Sequence, residues 1–459
     1  MSSTLDRSLP FATQDGVERL GLFGLYLFAA FAWLGTTPAT LGLALLTLAF
    51  VLNRPDWPVL GRDPVVRLSL ILIVFLVVHS LALAWMAPSA ERAATILDGG
   101  GNWLKLMLFI PLAHWCTGQP ERVRGLLLLA ALGFTLAVLR KIDWANFGPA
   151  FFSTRFESYL PAIAFGMFTG LGALGLIVLR QAFWRRFASG WARWLGVILW
   201  SLWLLFMLEG LLLSQSRGSW FAFLGALTLL VILEWRGYAH PAGDTMRARR
   251  RRYGPAALVI VIGLALISGL LVQTETLHKR LSEHRGTLID IARGETSALE
   301  SDPVGLRFKA LLFARETWSA RPWFGWGAGT SRELIAASGR PEALFDHDHW
   351  LPHLHNTYAE ILVQFGLVGL ILIAALIWGL ARSGLRSGRA GHLPADLGRF
   401  YLVAFVFMLI WCLFNYRVVH TDWIFFWILV AGTLHGLSRG TGTSRSGAQA
   451  QAGNPMASR

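Results

Sequence analysis

The chain has 459 residues, of which 54% are hydrophobic and only 15% are charged, with a formal net charge of +14. Soluble domains carry about a quarter charged residues, so this composition excludes an ordinary soluble enzyme. The positive balance comes with no nucleic-acid-binding motif and reads instead as basic loops beside membrane spans. The two cysteines, Cys116 and Cys412, sit in or at the edge of apolar blocks without metal-type spacing, which leaves them packing roles.

The apolar residues fall in long continuous blocks, and lipid accepts such blocks only as helices. An all-α polytopic membrane protein of about twelve spans is predicted, at 20–35, 38–52, 66–86, 103–118, 123–139, 159–179, 192–213, 218–235, 255–273, 355–381, 399–415 and 422–437. The first two are short and read as a tight helical hairpin. The first 19 residues read as a polar tail, with no convincing leader cleavage site after them. Domain organisation follows: spans 1–9 over residues 1–273, a polar segment over 274–354, spans 10–12 over 355–437, and a flexible tail over 438–459.

Orientation follows from arginine. With the N-terminus inside, one set of loops holds Arg54, Arg62 and Arg67, Arg122 and Arg124, Arg180, Arg185, Arg186 and Arg193, Arg236 and Arg247, the run Arg249 to Arg252, and Arg382, Arg386, Arg389 and Arg399. The opposite short loops hold only Arg92, Arg140, Lys141, Arg155, Arg217 and Arg417. The positive-inside rule then places both termini in the cytoplasm and segment 274–354 outside. Within that segment Leu277, Leu281, Leu288 and Ile291 mark an amphipathic helix over 275–293, and Val304 to Trp318 a second helix. Pro322-Trp323-Phe324-Gly325-Trp326-Gly327-Ala328-Gly329 reads as an aromatic, glycine-rich turn suited to the membrane interface. Together these form a helical cap on the outer leaflet.

Polar residues on the outer side need a reason. Arg217 sits in Ser214-Gln215-Ser216-Arg217-Gly218-Ser219, between two apolar runs. Arginine stays charged and grips phosphate oxygens bidentately. The alternative is an interfacial arginine snorkelling to headgroups, but the cluster is too polar for a simple turn. Arg155, within Ser153-Thr154-Arg155-Phe156-Glu157, and Arg307, in Gly305-Leu306-Arg307-Phe308, read as surface arginines, as ion pairs with an acidic neighbour, or as further cationic ligands. Arg140, Lys141 and Arg417 read as collectors of anionic headgroups.

Histidines cluster in Asp346-His347-Asp348-His349, followed by His353 and His355. A metal site, a solvated loop and a single base with its neighbours are the three readings. The first lacks a clean ligand set. His355 alone opens a membrane helix, and imidazole takes a proton near neutral pH. Asn356 is placed to orient it or to bind a sugar hydroxyl, and Glu360 to hold its tautomer on a roughly aligned face. Against this stands a helix-terminal histidine bonded only to its own loop.

His355-Asn356, nine residues, then Gly366-Leu367-Val368-Gly369 resembles the signature of the O-antigen ligase family, within the wider O-antigen ligase/polymerase superfamily. Ser216-Arg217-Gly218 before a span, and Arg307 upstream of a Trp/Gly-rich stretch, add to the resemblance, as do the twelve spans and the long late loop. The resemblance implies a GT-C-like glycosyltransferase of the bacterial inner membrane, with its site facing the periplasm. It implies transfer of an O-antigen glycan from undecaprenyl diphosphate to the outer core sugar of lipid A–core, without metal or cofactor. His355 carries over as the base, and Arg217 and Arg307 as diphosphate ligands, with Arg155 and Asn356 as further substrate-binding residues. The partners implied are the lipid-linked donor, the lipid A–core acceptor and membrane lipids, with no nucleic acid. An O-antigen polymerase and a protein O-oligosaccharyltransferase of the same superfamily are the rival readings. A polysaccharide transporter is a more remote one, since the spans carry few charges.

Overall fold

The computed structural model describes residues 14–53, 57–144, 155–156, 159–184, 186–187, 190–239, 303–339, 345–346 and 349–439. The expected span 255–273, the amphipathic helix 275–293, Glu157, His347, Asp348, the polar tail before residue 14 and the tail after 439 lie outside the described residues.

In chain order the helices are α1 (Gln14–Phe31), α2 (Thr36–Leu52), α3 (Trp57–Leu60), α4 (Pro64–Trp85), α5 (Ala90–Lys105), α6 (Phe109–Cys116), α7 (Pro120–Leu139), α8 (Ala162–Val178), α9 (Arg180–Trp184), α10 (Gly190–Leu213) and α11 (Arg217–Ala239). They continue with α12 (Pro303–Ala320), α13 (Ser331–Ala337), α14 (Thr357–Arg389), α15 (Ala395–Cys412) and α16 (Thr421–Arg439). The described strands are β1 (Phe345–Asp346) and β2 (His349–Trp350), a two-residue antiparallel ladder. Six helices, α4, α7, α10, α11 as far as Trp235, α14 and α15, are long and apolar enough to cross a membrane. The protein is a helical membrane protein.

The chain divides into two compact units. The first comprises 1–140, 368–398 and 417–459. In it, α1 and α2 form the expected hairpin. A Cβ on Gly24 would stand 2.6 Å from the Leu46 nitrogen, and one on Gly42 2.5 Å from the Phe28 nitrogen, so only glycine lets these backbones meet. Asp63 caps α4 by accepting from the Val65 N–H at 2.8 Å, with Pro64 at the first helical position.

The expected span 103–118 is not one helix. Ser89 caps α5, whose last turn passes through a 3-10 turn at Leu106–Leu108 into the short α6. The helix was hidden because Glu91, Arg92 and Asp98 break the apolar run that marks a span.

Ion pairs tie this unit together. Arg124, 8% exposed, grips Asp396 with Nε and Nη2, both at 2.7 Å, and reaches Glu121 with Nη1 at 2.6 Å. Arg417, expected to collect headgroups, instead donates to Asp422 at 2.7 Å.

The second unit comprises 141–367 and 399–416. Here α8 lies against α10 and α11, with Thr169 and Gly210 at the crossing. All the expected site residues belong to this unit.

Candidate functional site

Two segments, built around Ser214 and Leu354, frame the site. The first is the junction between α10 and α11, where Ser214, Gln215, Ser216 and Ser219 are all buried. Its polarity is consumed internally. The Ser214 hydroxyl donates to the Leu211 carbonyl at 2.7 Å and accepts from the Ser216 N–H at 3.2 Å. Ser219 donates to Ser216 Oγ at 3.0 Å and accepts from the Trp411 indole at 3.1 Å. These bonds hold a reversal that Gln215 makes with φ of 47°. Arg217 then stands at the first turn of α11, half-buried. Arg155 joins from another part of the chain: its Nε donates to the Ser214 carbonyl at 3.3 Å, while the Phe156 N–H donates to the Leu213 carbonyl at 3.0 Å.

Arg307 comes from the first turns of α12. Its guanidinium is pushed below its ordinary pKa by burial first, then by the charges of Arg217 and Arg155. Three arginines far apart in sequence therefore lie within electrostatic reach of one another. Arg155 is exposed and Arg217 and Arg307 are half-buried; like charges brought near one another work against the folded state, and a bound anion offsets that cost.

The second segment is Leu351 to Asn356. Leu351 and Leu354 enter an apolar core with Ala310, Phe313 and Ala314 of α12, Ile335 of α13, and Ala359 and Val363 of α14. Arg307's helix and the His355 loop thus share one core. His355 has φ of 52°, and with Gln215 it is one of two non-glycine residues with a left-handed backbone among the described residues. Such a conformation costs about 1 kcal/mol or more and persists only when the surroundings impose it. Both strained residues lie in the segments that present the site. The His355 N–H donates to His353 Nδ1 at 3.1 Å, and the two rings meet edge-on with centroids 4.2 Å apart.

Asn356 is the N-cap of α14. Its Oδ1 accepts from the Ala359 N–H at 3.0 Å and its Nδ2 donates to the Leu413 carbonyl at 2.9 Å. Thr357 donates to the Asn415 carbonyl at 2.6 Å. Gly218, next to Arg217, packs on the same turn: a Cβ there would lie 3.0 Å from Phe414 Cβ and 3.3 Å from Asn415 Nδ2. The turn 413–415 therefore anchors both the start of α11 and the start of α14. Thr357 and Asn415 belong to no motif in the sequence; the one local signal is that Asn415-Tyr416 is a polar pair closing an apolar run.

Gly366 and the Trp/Gly-rich turn prove to be one device. Gly366, with φ of 63° and ψ of −163°, interrupts α14. The break frees backbone groups that no water inside a bilayer would satisfy. The turn supplies their partners: Trp326 N–H donates to the Val363 carbonyl at 2.9 Å, Gly327 N–H to the Gln364 carbonyl at 2.9 Å, and Leu367 N–H to the Pro322 carbonyl at 2.8 Å. A Cβ on Gly366 would sit 2.3 Å from the Trp323 carbonyl carbon, and one on Gly325 2.5 Å from the Val363 carbonyl oxygen.

Glu360 does not hold the imidazole. Its carboxylate accepts from the Leu354 N–H at 2.7 Å, from Ser331 Oγ at 2.5 Å and from Gln364 Nε2 at 2.6 Å. Helical spacing aligns it only roughly with His355, and the loop's reversal brings the Leu354 backbone to it instead. Among the described residues no group of three or more His, Cys, Asp or Glu is arranged to hold a metal ion.

Residues 202–374 match the family model described as O-Antigen ligase. The match takes in Arg217, Arg307, His355, Asn356 and Gly366, while Arg155 lies before it. No curated protein matches the chain.

Proposed function

We propose that the protein is an O-antigen ligase of the bacterial inner membrane, with both termini in the cytoplasm and its site facing the periplasm. It transfers a finished glycan from undecaprenyl diphosphate to the outer core sugar of lipid A–core. The observation that carries this reading is the gathering of Arg155, Arg217 and Arg307 from three separate segments. A lipid diphosphate is anionic before the reaction and gains charge as its bond to the sugar breaks. Preorganised guanidinium groups stabilise that developing charge, the work that a divalent cation does in many glycosyltransferases.

His355 removes the proton from the acceptor hydroxyl. The oxygen attacks the anomeric carbon, the carbon–oxygen bond to the diphosphate breaks, and its electron pair leaves with undecaprenyl diphosphate. Attack opposite the leaving group inverts the anomeric centre in a single displacement. The strained backbone at His355 holds the ring, and Asn356 fixes the helix start beneath it while remaining beside the acceptor's hydroxyls. The transfer proceeds without a metal or cofactor.

A lipopolysaccharide gel of a deletion strain tests the reading. Loss of all O-antigen from lipid A–core, with long glycan accumulating on the lipid carrier, is the expected result. Retention of one capping repeat instead identifies a polymerase, and a normal lipopolysaccharide pattern with unglycosylated pilin-like protein identifies a protein-directed transferase. Complementation with His355→Ala is expected to lower transfer by about 10²- to 10⁴-fold, the range for loss of a general base. Near-normal transfer by that variant removes His355 from the role.

A further inference from the structure

We infer that Glu360 is a positioning residue that sets the place of His355 relative to the arginine cluster, acting through the backbone of Leu354. This rests on the proposed role of His355. Glu360 is fully buried, and both carboxylate oxygens are engaged. Hydrogen-bond accounting fixes the direction of two of its three bonds. The Leu354 N–H is a backbone donor. The Gly329 N–H donates to Gln364 Oε1 at 3.3 Å, so the opposite end of that amide is its donor end, and it points at Glu360 and at the Tyr416 hydroxyl, 3.2 Å away. The site for residue 360 is therefore built for acceptors.

Glu360 binds the histidine loop, the start of α13 and Gln364 of its own helix, and Gln364 extends the network to Gly329 and Tyr416. Leu354 precedes His355 directly. Ser331 opens α13, and Gly329 ends the turn that follows α12, the helix of Arg307. Tyr416 follows the 413–415 turn that anchors Asn356 and Thr357 and packs on Gly218 beside Arg217. Glu360 and Gln364 together thus tie the histidine loop to the start of α13, to the turn after the Arg307 helix and to Tyr416. A left-handed His355 needs such a fixed backbone on its N-terminal side, and the Leu354 N–H bond provides it.

Removing one acceptor of this kind displaces a base by a fraction of an ångström while leaving remote ligands in place, so it lowers turnover more than donor binding. The experiment uses the full-length protein in detergent, with undecaprenyl-diphosphate-linked glycan and lipid A–core as substrates. Glu360→Gln keeps the shape but offers an amide N–H₂ where the Gln364 amide already donates. It is expected to lower kcat by about ten- to hundredfold with the donor KM within about twofold of the parent. Glu360→Gln combined with Gln364→Glu restores one acceptor to the node and is expected to recover part of kcat. A folded Glu360→Gln with kcat within about twofold of the parent, or a loss that falls wholly in the donor KM, overturns the inference.

Hydrogen exchange on the parent protein gives a readout that does not depend on the variant folding. The Leu354 amide is expected to be protected like the amides of α14, and exchange at the rate of an open loop overturns the inference. An active His355→Ala with a protected Leu354 amide instead dismisses the base and leaves the node standing.

Discussion

Arg124 is buried and Arg307 half-buried, and their charged surroundings are opposite. Arg124 meets Asp396 with two parallel bonds and Glu121 with a third, so its charge is balanced within the fold. Around Arg307 the charges that matter are those of Arg217 and Arg155, of the same sign. A matched pair holds helices together, whereas gathered like charge works against the folded state and is tolerated where an anion comes to balance it. On the proposed function, stability and donor binding rest on different arginines, and each can be tested against the other.

The largest effect is expected at Arg124. Its replacement by alanine leaves Asp396 without its bidentate partner in a largely buried setting, at a cost on the order of 3 kcal/mol. Denaturation in detergent should show the loss, while transfer per folded molecule stays near the parent value. Arg307→Ala is expected to reverse the pattern. It should lower kcat/KM for the lipid diphosphate donor by about ten- to hundredfold, equivalent to about 1.4–2.8 kcal/mol. Its thermal midpoint should stand at or above the parent's, because a like charge has left the cluster. A clear fall in midpoint would assign Arg307 to the scaffold and dissolve the contrast. Arg307→Lys is expected to keep only part of the transfer, since an ammonium group supplies charge without the planar fork.

The helices were largely legible in the sequence because long apolar blocks announce themselves, as in α4, α14 and α15. The block 103–118 misled, since α5 is an amphipathic helix with its own cap and an apolar run says nothing of where helical hydrogen bonds change register. The motif from His355 to Gly369 was legible as a pattern, but its physical sense was not. Gly366 matters because the turn 322–327 docks its backbone there, and those bonds bridge residues some forty positions apart. Glu360 was read as a partner of the imidazole from helical spacing alone, a rule that fails as soon as the chain leaves the helix at Asn356. The nearness of Arg155, Arg217 and Arg307 had no trace in local sequence, because packing around Leu354 and the 413–415 turn creates it.

The central claim is that these arginines act on one anion. A double-mutant cycle on Arg217→Ala and Arg307→Ala, read as the affinity for undecaprenyl diphosphate, tests it most directly. If both guanidinium groups grip the same diphosphate, the losses are strongly non-additive, with a coupling energy on the order of 1 kcal/mol or more. Losses that simply add, within a few tenths of a kcal/mol, would mean that the two arginines serve separate sites and would contradict the account.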